Sequence, residues 1–233
     1  MKHTWASGAL ELLRHADSHI ELDSAFDKRI AFISIDNCVE TAIRTFLSLP
    51  SSKSGVKISR KEIDEAGKSF PTLVSLLFKH APHRVLGLDD GDIEHYHRIR
   101  NQLYHDGTGL SVDERYLSAY RQIGSVLLNN LFGVAIKHQV GEKPSLERLI
   151  LLWNEIESEV QNRLRSAGID LRATYKWEEA EKAGILDMET VGDITELGMI
   201  RNKQVHSTPD ELDPERICLG VSLAGKILKR LRG

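Results

Sequence analysis

Two stretches decide the fold: Gly91-Asp92-Ile93-Glu94-His95-Tyr96-His97-Arg98-Ile99-Arg100-Asn101-Gln102-Leu103-Tyr104-His105 and Gly192-Asp193-Ile194-Thr195-Glu196-Leu197-Gly198-Met199-Ile200-Arg201-Asn202-Lys203-Gln204-Val205-His206. They share seven identities in register, namely the opening Gly-Asp-Ile, the Ile-Arg-Asn triplet and the final His. Ordinary residue frequencies give about one identity in such a window, so the match reads as an internal repeat. Upstream, Asn37-Cys38-Val39-Glu40 has a looser counterpart in Asn154-Glu155-Ile156-Glu157, and Ile43 and Leu47 correspond to Val160 and Leu164. Downstream, Asp113-Glu114-Arg115 and Asp213-Pro214-Glu215-Arg216 both suit the acidic start of a closing helix. The second copy lacks most of the Pro50 to Lys68 segment.

Helical spacing of apolar residues runs through most of the chain. It predicts helices over 6–22, 24–49, 73–80, 92–105, 112–137, 145–167, 177–183, 193–206 and 214–231. Asp92 and Asp193 suit N-caps, and Asp193 with Glu196 approximates a capping box. Pro50 to Lys57 breaks the pattern and is expected to be an exposed loop. The boundary falls at Val140-Gly141-Glu142-Lys143-Pro144, where Gly can end one helix and Pro-Ser begin the next. The expected architecture is therefore all-α, as two helical units over residues 1–140 and 141–233.

Composition narrows the function classes. The 233 residues contain 41% hydrophobic and 28% charged side chains with no bilayer-length apolar run, which predicts a soluble globular chain without a membrane partner. A formal charge of -3 excludes coating of nucleic acid by bulk positive charge but leaves room for a local site. Cys38 and Cys218 are too few for a disulfide scaffold or a cysteine-built zinc site, and the N-terminus lacks the apolar core of a secretory signal. The expected location is the cytoplasm.

Within each copy, Asn101 and His105, and likewise Asn202 and His206, share one helix face, with Arg100 and Arg201 beside it. Each His is followed by a helix-ending segment, Asp106-Gly107-Thr108-Gly109 or Ser207-Thr208-Pro209, which predicts a histidine at an exposed helix end. A guanidinium can grip a phosphate and stabilise charge building in a pentacoordinate transition state, while an imidazole exchanges protons near neutral pH. Cleavage of RNA by its own 2′-hydroxyl needs one base and one acid, which two histidines can supply. No metal or other cofactor is expected. Glu94, His95, His97 and His105 are spaced badly for a shared ion. Lys53, Lys57, Arg60 and Lys61 are candidates for contacts to a nucleic-acid backbone, Lys226 to Arg232 for complementing a helix dipole, and Trp5, Trp153 and Trp177 for packing anchors.

Arg100-Asn101-Gln102-Leu103-Tyr104-His105 and Arg201-Asn202-Lys203-Gln204-Val205-His206 resemble the R-x4-6-H signature of the HEPN (higher eukaryotes and prokaryotes nucleotide-binding) superfamily. The resemblance covers most of the chain as two units. It implies two small helical bundles and a metal-independent endoribonuclease of a toxin or antiphage system, with tRNA as a plausible target and a cognate antitoxin or regulator as a possible partner. It also implies a site made where two units meet, with Arg100, His105, Arg201 and His206 catalytic and Asn101 and Asn202 supporting. Since the chain carries both motifs, an intramolecular pseudo-dimer is expected, with further homodimerisation left open. Tyr104 precedes its His instead of following it, so the tyrosine-modified subgroup paired with nucleotidyltransferase antitoxins is not matched. Two alternatives stand beside this reading: a catalytically silent module that dimerises or binds nucleotide, and a purely structural scaffold.

Overall fold

The computed structural model describes residues 4–105, 112–134, 136, 143–169 and 176–233. Among these residues every regular element is helical and there is no strand. None of the helices is long and apolar enough to cross a membrane. The chain divides into two compact units, Met1–His138 and Gln139–Gly233. The expected linker residues Val140, Gly141 and Glu142, and the segment Asp106 to Gly109, lie outside the described residues.

The first unit is built around α2 (Ala25–Ser48), which packs against α1 (Ser7–Leu22) and α7 (Glu114–Phe132). Ser24 caps α2 by accepting the Asp27 amide, and Phe32, Ile35, Val39, Ala42, Ile43 and Phe46 line its buried stripe. Gly124 of α7 faces α2 and α1, where a Cβ would make ordinary contacts with Val39, Ile35 and Leu13 at 3.7 to 3.9 Å. A buried Arg121 on α7 grips Asp17 of α1 through Nε at 2.6 Å and Nη2 at 2.8 Å, a bidentate pair that fixes the two helices in register. Three short or medium helices complete the unit's side wall: α3 (Ser51–Ser54), α4 (Arg60–Ala66) and α5 (Phe70–His80). The motif helix α6 (Asp90–His105) follows.

The segment expected as an exposed loop is partly ordered and partly buried. Gly55 turns the chain with φ of 76°, Ser54 Oγ accepts the Val56 amide at 3.2 Å, and both Ser54 and Val56 are buried. The next helix, α4, begins with a capping box between Ser59 and Glu62.

The second unit has α8 (Leu146–Ser166) against α10 (Met188–His206) and α11 (Pro214–Arg232), with α9 (Lys176–Lys182) beside α10. Its core includes Leu149, Ile156, Val160, Ile194, Leu197, Ala224 and Ile227. Trp153 and Trp177 meet edge to face at 5.9 Å, as packing anchors do, whereas Trp5 is 52% exposed. Arg230 binds Asp193 and Glu189, each at 2.6 Å, and Arg232 binds Glu155 at 2.8 Å, so the basic end of α11 ties it to α10 and α8.

Two expected helix starts move. Asp187, not Asp193, caps α10, accepting the Thr190 amide at 2.7 Å, and Asp193 lies inside the helix paired with Arg230. In the first unit the Asp92 amide donates to Asp89 Oδ1 at 3.3 Å, which puts Asp92 inside α6, where it is buried. Both shifts have one cause: another acidic residue upstream of each repeated Gly-Asp-Ile offers its carboxylate to the first turn. Asp113 and Asp213 do cap α7 and α11 as expected.

Candidate functional site

The motif arginine of the first unit is held from below by a buried carboxylate. Asp36, on the inner stripe of α2, is fully buried among Phe32, Val39 and Ile43. Its Oδ1 accepts the Tyr120 hydroxyl of α7 at 2.7 Å and lies 3.0 Å from His97 Nδ1 of α6. Its Oδ2 lies 3.1 Å from Arg100 Nε, an ionic contact off the N–H axis. In the tautomer that carries its proton on Nδ1, His97 donates to this carboxylate. The His97 ring stacks on Phe70 of α5, with centroids 3.9 Å apart and planes 15° from parallel. One carboxylate thus draws side chains from α6 and α7 onto α2.

The rest of the guanidinium is also engaged. Arg100 Nη1 donates to Asn101 Oδ1 at 3.0 Å and Nη2 to Asn37 Oδ1 at 3.2 Å. With Nε on Asp36, three contacts set the plane of the group, and 22% of the side chain remains open to solvent. That geometry suits phosphate binding at the open edge, because the orienting interactions are made before a ligand arrives. Burial, followed by the charge of Asp36, pushes the Tyr120 phenol well above its ordinary value, so it stays a neutral donor to that carboxylate.

In the second unit Arg201 Nη1 donates to Asn202 Oδ1 at 3.0 Å, the same contact as in the first. The equivalence extends to the packing. Aligning Asn37 with Asn154 pairs Asp36 with Trp153 and Phe32 with Leu149; the motif register pairs His97 with Gly198; Asp113 with Asp213 pairs Tyr120 with Gly220. The ring of Trp153 lies 3.2 Å from where a Cβ on Gly198 would stand, and Leu149 lies 3.0 Å from that of Gly220. The first unit's Asp36–His97 contact and its Phe32–Tyr120 ring contact, with centroids 5.3 Å apart, thus fall on pairs that also meet in the second unit, but Asp, His and Tyr are replaced there by Trp, Gly and Gly. Arg201 itself is 1% exposed.

The histidines are placed less evenly. His206 is the last residue of α10 and is exposed. His105 closes α6, and its side chain lies outside the described residues. His95 and His97, neighbours in the set weighed for a metal, have different surroundings: His95 meets Tyr96 and Tyr116 edge to face, while His97 is taken by Asp36 and Phe70. Lys53, Lys57, Arg60 and Lys61 are all exposed. Lys57 and Arg60 border a cavity of about 520 Å³ walled by Leu47, Pro50, Ile58, Ile63 and Asp64.

Sequence reasoning missed Asp36, Asn37, His97 and Tyr120 as partners of the motif. The signal was present in one place: Asp36 interrupts the stripe Phe32, Val39, Ile43 with a charge, which a helix tolerates only when another element brings a partner.

No protein-family model, curated protein or solved structure matches the chain.

Proposed function

We propose that this chain is a metal-independent endoribonuclease that cleaves by attack of the RNA's own 2′-hydroxyl. The observation that carries the reading is the recurrence, on the equivalent helix of each unit, of an arginine clamped by the following asparagine at 3.0 Å and followed by a helix-ending histidine. In this reading Arg100 and Arg201 offset negative charge building on the scissile phosphate, and Asn101 and Asn202 keep their planes fixed. One of His105 and His206 removes the 2′-hydroxyl proton as the new P–O bond forms, and the other protonates the departing 5′-oxygen. The two halves contribute to one composite site, as an intramolecular pseudo-dimer. The HEPN resemblance suggests a toxin or antiphage setting, with tRNA as the first substrate to try and a cognate antitoxin as the partner to seek.

The test is incubation of the purified chain with total RNA and excess chelator. Fragments ending in 2′,3′-cyclic phosphate and 5′-hydroxyl are expected; intact RNA overturns the reading.

A second reading has one specific observation in its favour. Arg201 is 1% exposed, and a guanidinium so enclosed reaches a phosphate only after its surroundings open. A catalytically silent HEPN-like module, binding nucleotide through Arg100 alone, fits that burial and predicts binding without cleavage.

A further inference from the structure

The inner side of Arg100 is fixed by Asp36, Asn37 and Asn101, and its outer side meets an aromatic ring. The guanidinium carbon lies 5.6 Å from the ring centroid of Tyr104, and Tyr104 is 66% exposed. The two side chains sit one helical turn apart on α6, so the pair presents a cation and an aromatic face together. In the repeat register the position of Tyr104 is taken by Val205, which is fully buried. The motif helices thus share Arg, Asn and His but diverge here, one carrying an aromatic outward and the other an aliphatic into its core. An exposed tyrosine beside an anchored arginine has the two elements that recognise a nucleotide in an unpaired strand: a surface for a base to stack on and a charge for its phosphate.

We propose that Tyr104 and Arg100 form a nucleotide subsite, present in the first unit only, in which an unpaired base of single-stranded RNA stacks on the Tyr104 ring while Arg100 holds an adjacent phosphate. The inference rests on the proposed nuclease reading and names the form of its substrate. A base inside a duplex already has stacking partners on both faces, so the subsite selects loops and single strands over helices.

The test is titration of the full-length chain into a fluorescently labelled single-stranded RNA carrying 2′-O-methyl groups throughout, which cannot cleave itself, with anisotropy as the readout. Tyr104→Ala is expected to weaken binding about ten-fold, the range for one base leaving an aromatic ring. Tyr104→Phe and Tyr104→Trp should stay within about two-fold of the wild type, since the ring and not the hydroxyl makes the contact. The same RNA annealed to its complement should bind more weakly and be indifferent to Tyr104→Ala. Equal affinities for the wild type and Tyr104→Ala, a Tyr104→Phe variant as weak as Tyr104→Ala, or no binding by the wild type overturns the proposal. Because Tyr104 is exposed, an unchanged melting temperature shows that each variant is folded. Tyr104-dependent binding with natural RNA left uncut keeps the subsite and overturns the nuclease. Cleavage and binding that ignore Tyr104 keep the nuclease and overturn the subsite.

Discussion

At the scale of single residues, Asp36 carries the first unit's polar core. Replacing it with Ala leaves His97 and Arg100 facing an emptied acceptor site, and removing one partner of a buried pair costs about 3–5 kcal/mol. The lower end is expected because Arg100 reaches solvent at its edge. A fall of that size in the unfolding free energy from urea titration checks it, and unchanged stability would contradict it. Tyr120 and Cys38 set the alkaline limit. Burial raises both in the folded chain, Cys38 to about 12, so the neutral forms are favoured by folding. Their contribution is complete below the ordinary thiol and phenol values and is lost as pH climbs past them. Unfolding free energy should therefore decline from about pH 9 upward, and Tyr120→Phe should flatten the part of the decline above pH 10. Urea titrations at rising pH decide it. The same burial predicts that a thiol reagent at pH 8 modifies the exposed Cys218 readily and Cys38 only after denaturation. Rapid modification of both in the native chain would contradict the placement of Cys38. The sequence made Arg100 and Arg201 stand out because they repeat. Asp36 does not repeat, and its partners come from helices far away in the chain, so only the folded structure brings the four together.

At the scale of elements, the helices were legible because apolar spacing and caps are local properties. Ser24, Ser145 and Asp213 each sit one residue before a helix and accept an amide of its first turn. The starts of α6 and α10 are not legible from the repeat, because Asp89 and Asp187, which offer their carboxylates to the first turns, lie outside the repeated window. α4 follows the turn-rich Pro50 to Lys57 stretch, and its local signal is the capping box spelled by Ser59 to Glu62. Two glycines of α11 allow a sharper test. Gly225 has nothing within 4 Å of a would-be Cβ, so Gly225→Ala should stabilise by about 0.5–1 kcal/mol through helix propensity. Gly220 would bring its Cβ to 3.0 Å from Leu149 and 3.1 Å from Ile200. Gly220→Ala should cost about 1 kcal/mol, overpacking outweighing propensity. Thermal melts of the two variants should move in opposite directions, and equal shifts would contradict the packing of α8, α10 and α11.

At the scale of the whole molecule, the chain is a repeat whose halves have kept one motif and changed what supports it. Arg-Asn-x3-His survives in both, whereas Asp36, His97 and Tyr120 give way to Trp153, Gly198 and Gly220. The repeat is readable from identities; the divergence is not, because Trp153 meets Gly198, and Leu149 meets Gly220, only in the fold. That asymmetry predicts unequal arginines. Arg100→Ala should abolish RNA binding at the open edge, and Arg201→Ala should act first through stability, since Arg201 is buried. The composite-site nuclease is tested most directly by initial cleavage rates of a 5′-labelled RNA in chelator for the wild type, His105→Ala, His206→Ala and the double variant. If the two histidines act as one acid-base pair, each single replacement removes most activity and the double costs little more. Independent, roughly half-sized losses that add up in the double variant, or a wild type that leaves the RNA whole, would contradict the account.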